Sequence, residues 1–373
     1  GVQTCALPIS KVLNFDIYYP PDTERTLIMI KTIKLTVAAA AALTLMSAPV
    51  TAKEYYAGKT LTVQVPSGSG GTYHVYCQLV QRNIGKYIPG KPRVLIQNMP
   101  GAGGAKSATW MANVAPKTGE YIAMVAPGVI TTPLVRKMRY DARKFGWLGA
   151  PAARMAGIFM WHTSGIKTLE DFRNKKSTIA SSGFASSGSI YPRLVAHTLG
   201  INKMKIILGY KGGGAMNLAV EKQEAAGRNN FLSGVLAKRP TWLPKKLVYP
   251  IIMYGPKTFN EHTKNTPHLG DILAKEQPGS MNEKMYTVLS TNLKVGQAFY
   301  LPPGANKNVM KIMGTAFDKM IADPQFKKNV LARGVEFDPV SVATINKYIK
   351  AGFKAATPDV VAALKPMLVK KKK

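Results

Sequence analysis

Four short segments rich in glycine and serine hold the residue types best suited to chemistry in this chain: Ser67-Gly68-Ser69-Gly70-Gly71-Thr72, Pro100-Gly101-Ala102-Gly103-Gly104, the run from Ser181 to Ser189, and Lys211-Gly212-Gly213-Gly214. Glycine lets backbone come close to a ligand, and a helix starting just behind such a loop offers unpaired N–H groups and the positive end of its dipole. The chemistry this permits is recognition of an anion, either carboxylate or phosphate. None of the loops closes with the Gly-Lys-Ser/Thr of nucleotide hydrolases, and none has the six-residue dinucleotide spacing. Serine hydroxyls at 181–189 serve as helix caps or as donors to a ligand oxygen, and the sequence leaves both roles open. Covalent and metal chemistry have less to stand on. His74, His162, His197, His262 and His268 are scattered, no serine sits in a Gly-x-Ser-x-Gly elbow, and no Cys or His pair has zinc spacing. No cofactor, metal or catalytic residue is expected.

Loops of this kind need strands and helices to aim them. Short β-rich runs alternate with segments of helical period: LTVQV at 61–65 precedes Tyr73, Tyr76, Val80, Ile84 and Tyr87 at spacings of three and four, VLIQ at 94–97 precedes AKSATWMANV, and YIAMV lies at 121–125. A second series has GIFMW at 157–161, STIAS at 177–181, KIIL at 205–208 and VYPIIMY at 248–254 as its strands. The alternation predicts parallel β-α units and an α/β fold of two doubly wound lobes. The last part opens on QAFYLPPGANKN, where Pro302, Pro303 and Gly304 punctuate an extended run before a helix striped by Val309, Met313, Ala316 and Met320, ended at Asp323-Pro324. Trp110, Trp147, Trp161 and Trp242 are read as core or hinge packing, or one as a cleft wall. Lys370–Lys373 reads as a solvated tail.

Lys and Arg number 51 against 19 Asp and Glu in 373 residues, a formal charge of +32. Such a surface favours anionic partners. Cys5 and Cys77 cannot build a disulfide framework. The stretch 29–52, MIKTIKLTVAAAAALTLMSAPVTA, runs basic, apolar, then small, which is the order of a secretory signal peptide; the apolar part is too short to span a bilayer. Cleavage after Ala52 is expected, giving a periplasmic protein. Gly1–Ser10, GVQTCALPIS, reads as the in-frame translation of a sequencing adapter, so residues 1–28 are expected to be an artefact of read end and upstream frame.

The motifs together resemble the extracytoplasmic solute receptors of the tripartite tricarboxylate transporter family. The matching segments are VQVPSGSGGTYHVY, VLIQNMPGAGGAKSA, YDARKFGWLG at 140–149, GYKGGGAMNLAVEKQEAAGR at 209–228 and LPPGANKNVMKIMGTAFDKMIADPQF at 301–326. They span almost all of the chain after Ala52 in family order. The resemblance implies a two-lobed, type II-like periplasmic binding fold, with crossovers near Gly157–Trp161 and Gln297–Leu301. Lobe 1 would then be 53–156 plus 299–373, and lobe 2 would be 157–298. It implies a small carboxylate ligand held by Ser67, Ser69, Gly70, Gly71 and Thr72 from one lobe and Ser181, Ser182, Gly183, Ser186 and Ser187 from the other, with Tyr210, Lys211 and Arg228 as further contacts. A monomer delivering its ligand to membrane permease subunits is implied as well.

Three positions depart from the family pattern: His74 and Ala226 stand where Asp is usual, and Gln78 where Arg is usual. An Asp at 74 could receive the amino group of an amino acid, whereas a protonated histidine attracts an acid. Two other functions compete with the receptor reading, an enzyme on the same frame and a cationic envelope-associated binding or sensing protein. Nucleic acid is not expected as a partner, since no basic-aromatic RNA motif or helix-turn-helix is present and an export signal removes the chain from DNA.

Overall fold

The computed structural model describes residues 55–257 and 260–369, so the expected signal peptide at 29–52, the adapter-like start and the lysine tail lie outside the described residues. The first lobe runs β1 (Thr60–Val65), α1 (Thr72–Asn83), β2 (Arg93–Asn98), α2 (Ala105–Asn113), β3 (Tyr121–Met124), α3 (Pro127–Val135) and β4 (Gly146–Gly149). The second runs β5 (Ala156–Trp161), α4 (Leu169–Asn174), β6 (Ser177–Ala180), α5 (Ser187–Thr198), β7 (Met204–Ile207) and α6 (Gly213–Glu221). It continues with β8 (Gly227–Phe231), α7 (Leu232–Lys238), β9 (Val248–Tyr254), α8 (Leu269–Glu276) and α9 (Met281–Val295). The chain returns through β10 (Phe299–Leu301) to α10 (Lys307–Ala322), α11 (Pro324–Leu331), α12 (Val342–Ala355) and α13 (Pro358–Leu368).

Hydrophobic period accounts for most of these elements. In β1 the alternate residues Leu61, Val63 and Val65 are fully buried, and Tyr76 and Val80 of α1, with Ile84 just past its end, are buried against them as the expected stripe. Helix α10 buries the expected Val309, Met313, Ala316 and Met320, and Asp323 then accepts a hydrogen bond from the Gln325 N–H, capping α11 with Pro324 in its first turn.

Two five-stranded sheets result, ordered β2-β1-β3-β10-β4 and β7-β6-β8-β5-β9. The parallel expectation holds for four strands of each sheet and fails at the fifth. Strand β10 lies antiparallel between β3 and β4, and β5 lies antiparallel between β8 and β9. In both cases the reversed strand is the one entering from the other lobe, so a crossing, and not a β-α-β turn, sets its direction.

The crossings are residues 150–155 and 296–298. They run side by side: the Gln297 N–H donates to the Ala152 carbonyl at 2.8 Å, and the Arg154 Nε donates to the Gln297 Oε1 at 3.0 Å. Arg154 is fully buried and also donates to the Val125 carbonyl. Burial pushes its pKa down to about 10, which leaves it cationic at neutral pH.

The last helices pack on both sheets' surroundings. Residues 299–340 build on the first sheet and α12 packs on both β4 and α9, while Val360, Leu364, Met367 and Leu368 of α13 join the core beside Tyr191, Leu289 and Leu293. The apolar face of α13 finds its matching surface there.

Candidate ligand-binding cleft

The C-terminal ends of β1, β2, β6, β7 and β8 open onto one cavity of about 1000 Å3 between the sheets. This is where open α/β sheets place ligands. Of the expected contacts, Ser67, Ser69, Gly70, Gly71, Thr72, Ser182, Gly183, Ser186, Ser187, Tyr210, Lys211 and Arg228 all line it. Ser181 does not. It is fully buried behind the wall, with its Oγ 2.9 Å from that of Ser186 and 2.7 Å from that of Ser189. Ser186 and Ser189 both donate to the Gly183 carbonyl at 2.8 Å, so these hydroxyls brace the loop.

The 100–104 loop also borders the cavity, although the resemblance named no contact there. Gln64 holds it from behind: its Oε1 accepts from the Ser107 Oγ at 3.1 Å. Backbone φ is positive from Gly101 through Gly104, and an ideal Cβ on Gly103 would lie 2.6 Å from the Ala185 carbonyl oxygen of the other lobe. Glycine is needed there for both reasons.

Strand β8, GRNNF, is the main feature the sequence did not announce. All five residues are buried, and Arg228, Asn229, Asn230 and Phe231 line the cavity. Polar residues hide this strand from a hydrophobic-run search, yet their hydrogen bonds are satisfied within the wall. Arg228 Nη1 donates to the Gly213 carbonyl at 2.6 Å and to the Asn217 Oδ1, and Tyr254 donates to the Asn229 Oδ1. Burial, with Arg239 nearby, pushes the Arg228 pKa down to about 9.

The electrostatics of the cleft are one-sided. Lys211, Arg228 and Lys238 line it, and no aspartate or glutamate among the described residues does. Five helices begin at its wall, with N-caps Gly71, Gly104, Ser186, Gly212 and Phe231, and none has a side-chain cap or an acidic residue in its first turn. Elsewhere Thr168, Ser280, Asn306, Asp323 and Ser341 cap the helices they precede, while Ala126, His268 and Thr357 do not. At the cavity no side chain takes the first-turn N–H groups or faces the positive dipole ends, although the Leu232 N–H of α7 donates to the Met155 carbonyl and the Ala105 N–H of α2 to the Ala102 carbonyl.

Across the mouth of the cleft the two lobes meet through glycine. Gly68 and Gly71 of the first lobe face Lys211 and Gly213 of the second, and an ideal Cβ on Gly213 would stand 3.0 Å from the Gly71 Cα. The cleft is closed in this structure.

The three departures carry little charge into the cleft. His74 is not at the cavity: its Nδ1 is 3.3 Å from the Asn98 Nδ2, and burial together with Lys238 lowers its pKa. Gln78 meets Arg333, and the Ala226 N–H donates to the Thr178 Oγ1. Of the five histidines none lines the cavity, and no three of His, Cys, Asp and Glu gather as a metal site among the described residues.

A second interlobe contact supplies a pH dependence. Both carboxylate oxygens of Glu336 are shielded from solvent beside Tyr76 of α1 and Ser233 of α7, and burial pushes the pKa up to about 7. The closed form is therefore favoured when Glu336 is protonated, an advantage complete below its ordinary value and lost as pH rises through about 7. If opening hydrates this carboxyl, affinity should be about tenfold tighter at pH 6 than at pH 8, with the difference abolished in Glu336→Gln. Calorimetry at the two pH values checks this, and an equal pH dependence in the variant would refute it.

Two lobes joined by paired crossings around an anion-ready cleft define the class of fold, that of a periplasmic binding protein. The solved structures agree. The periplasmic binding protein BugD superposes with a TM-score of 0.64 at 15% identity, over 85% of this chain and 100% of that one. A structure described as a periplasmic transporter gives 0.64 at 21% identity, over 82% and 97%. Rpa4515 of R. palustris, solved with adipate, gives 0.63 at 17% identity, over 83% and 97%. No family model matches the chain, and no curated protein matches it in sequence.

Proposed function

We propose that this chain is a periplasmic solute receptor of the tripartite tricarboxylate transporter type, which captures a small carboxylate between its lobes and delivers it to membrane permease subunits. The observation that carries the reading is the convergence of five helix N-termini without side-chain caps on a cavity with three cations and, among the described residues, no acidic one. Free N–H groups on fixed backbone suit a carboxylate, whose oxygens accept several charge-assisted hydrogen bonds at once. The fold supports the same reading, since Rpa4515 is described with adipate and MatC of Rhodopseudomonas palustris with malate. On this reading the protein is not an enzyme: the cleft holds a ligand by backbone and hydroxyls and has no histidine positioned to activate a nucleophile. It acts as a monomer, exported and cut after Ala52.

The ligand is expected to bind at about micromolar affinity, near −8 kcal/mol. Thermal shift and calorimetry against aliphatic diacids, tricarboxylates, aromatic acids and amino acids test this, alongside mass spectrometry of ligand released from natively purified protein. Folded protein that is stabilised by none of these acids would sink the carboxylate reading.

A further inference from the structure

The backs of the cleft's aromatic residues carry a pattern that the uncapped helices do not explain. Phe184 lines the cavity from the serine-rich loop, and the Arg193 guanidinium lies 3.6 Å from its ring centroid. Arg193 does not itself line the cavity; it is held by the Phe184 and Met367 carbonyls and has no acidic partner among the described residues. A looser version lies across the cleft. Tyr73 and Phe231 both line the cavity, with ring centroids 5.8 Å apart, and buried Arg154 sits 5.6 Å and 5.7 Å from them. Two guanidinium groups, neutralised by no carboxylate, thus stand behind the rings a ligand would touch.

A cation on one face of a ring draws its electron density toward that side, which leaves the opposite face better suited to stack on a second, electron-rich ring. The same charge attracts an anion through the low-dielectric wall.

Resting on the carboxylate reading above, we infer that the cleft selects an aromatic carboxylate, whose acid group meets the helix N-termini while its ring stacks on the guanidinium-backed faces of Phe184 and the Tyr73–Phe231 pair. Small aliphatic diacids enter the same cleft but leave those faces to water.

Calorimetric titration of the full-length processed protein with benzoate, terephthalate, malate and adipate tests the inference. At least one of the two aromatic acids should bind ten times more tightly than either aliphatic acid. Phe184→Leu, which keeps apolar bulk and removes the ring, should weaken the aromatic acid about tenfold and adipate far less, while Phe184→Tyr should restore the parent value. Malate or adipate binding more tightly than both aromatic acids would overturn the inference and leave the carboxylate reading standing. Equal weakening of adipate and the aromatic acid by Phe184→Leu would also overturn it, since the ring would then only shape the loop. Binding of none of the four to folded protein would overturn both.

Discussion

Gly68→Ala is expected to lower ligand affinity 10- to 100-fold while leaving the ligand-free protein's melting temperature unchanged. An ideal Cβ on Gly68 would stand 2.6 Å from the Lys211 carbonyl oxygen, which belongs to backbone of the opposite lobe and cannot swing aside. Overpacking of this kind costs about 1–3 kcal/mol, and here the penalty falls on closure alone, because the methyl group meets nothing in its own lobe. Gly71→Ala is the matched control. Its Cβ would make ordinary 3.5 Å contacts with Gly213, and its φ of −102° is open to any residue, so it should bind like the parent. Titration and small-angle scattering with and without ligand compare the two. Parent-like binding by Gly68→Ala would mean that the closed arrangement is not the one that holds the ligand.

The second large effect is expected from Arg228→Met. The guanidinium ties the start of α6 to β8 through the Gly213 carbonyl and the Asn217 Oδ1, so methionine leaves buried acceptors without donors at about 1–3 kcal/mol each. A fall of several degrees in melting temperature should accompany a loss of affinity of 30-fold or more, because the N-terminus of α6 is no longer held against the ligand and a buried cation of the cavity wall is gone. Salt separates this from a surface effect. Enclosed charge is poorly screened, so raised ionic strength should slow capture through the positive exterior and leave most of the closed-state affinity intact. Should Lys211→Ala prove more damaging than Arg228→Met, an exposed charge clamp would have to replace the helix-terminus account.

Much of this architecture was legible before any coordinates. The alternation of LTVQV, VLIQ and YIAMV with helical stripes located the first lobe to within a residue or two, because buried strands and amphipathic helices must carry those periods. The glycine loops were legible for the same kind of reason: close backbone approach demands glycine, and the demand is local. What escaped reading was set by partners distant in sequence. Strand β8 is polar because Asn217, Tyr254 and the Gly213 carbonyl satisfy it, and none of these is a sequence neighbour. Ser181 had the right residue type and the wrong orientation, since its hydroxyl is taken by Ser186 and Ser189. The Arg154 and Arg193 guanidinium groups gave no signal at all, because what makes them unusual is the lack of a carboxylate beside them.

The reversed strands and the placement of α13 also bear on how the chain reaches this state. The first sheet is cut in two until β10 arrives to pair with both β3 and β4, and the second lobe lacks part of its core until Val360, Leu364, Met367 and Leu368 have been made. Neither lobe is a contiguous stretch that can finish folding while the rest is still being synthesised. Contacts this far apart in sequence must recover a large loop-closure entropy before they stabilise anything, so folding is slow and its decisive steps come last. A fold built this way is complete only once α13 has docked, and removing α13 would leave the second lobe with an open apolar face even though every residue of its own sheet is present.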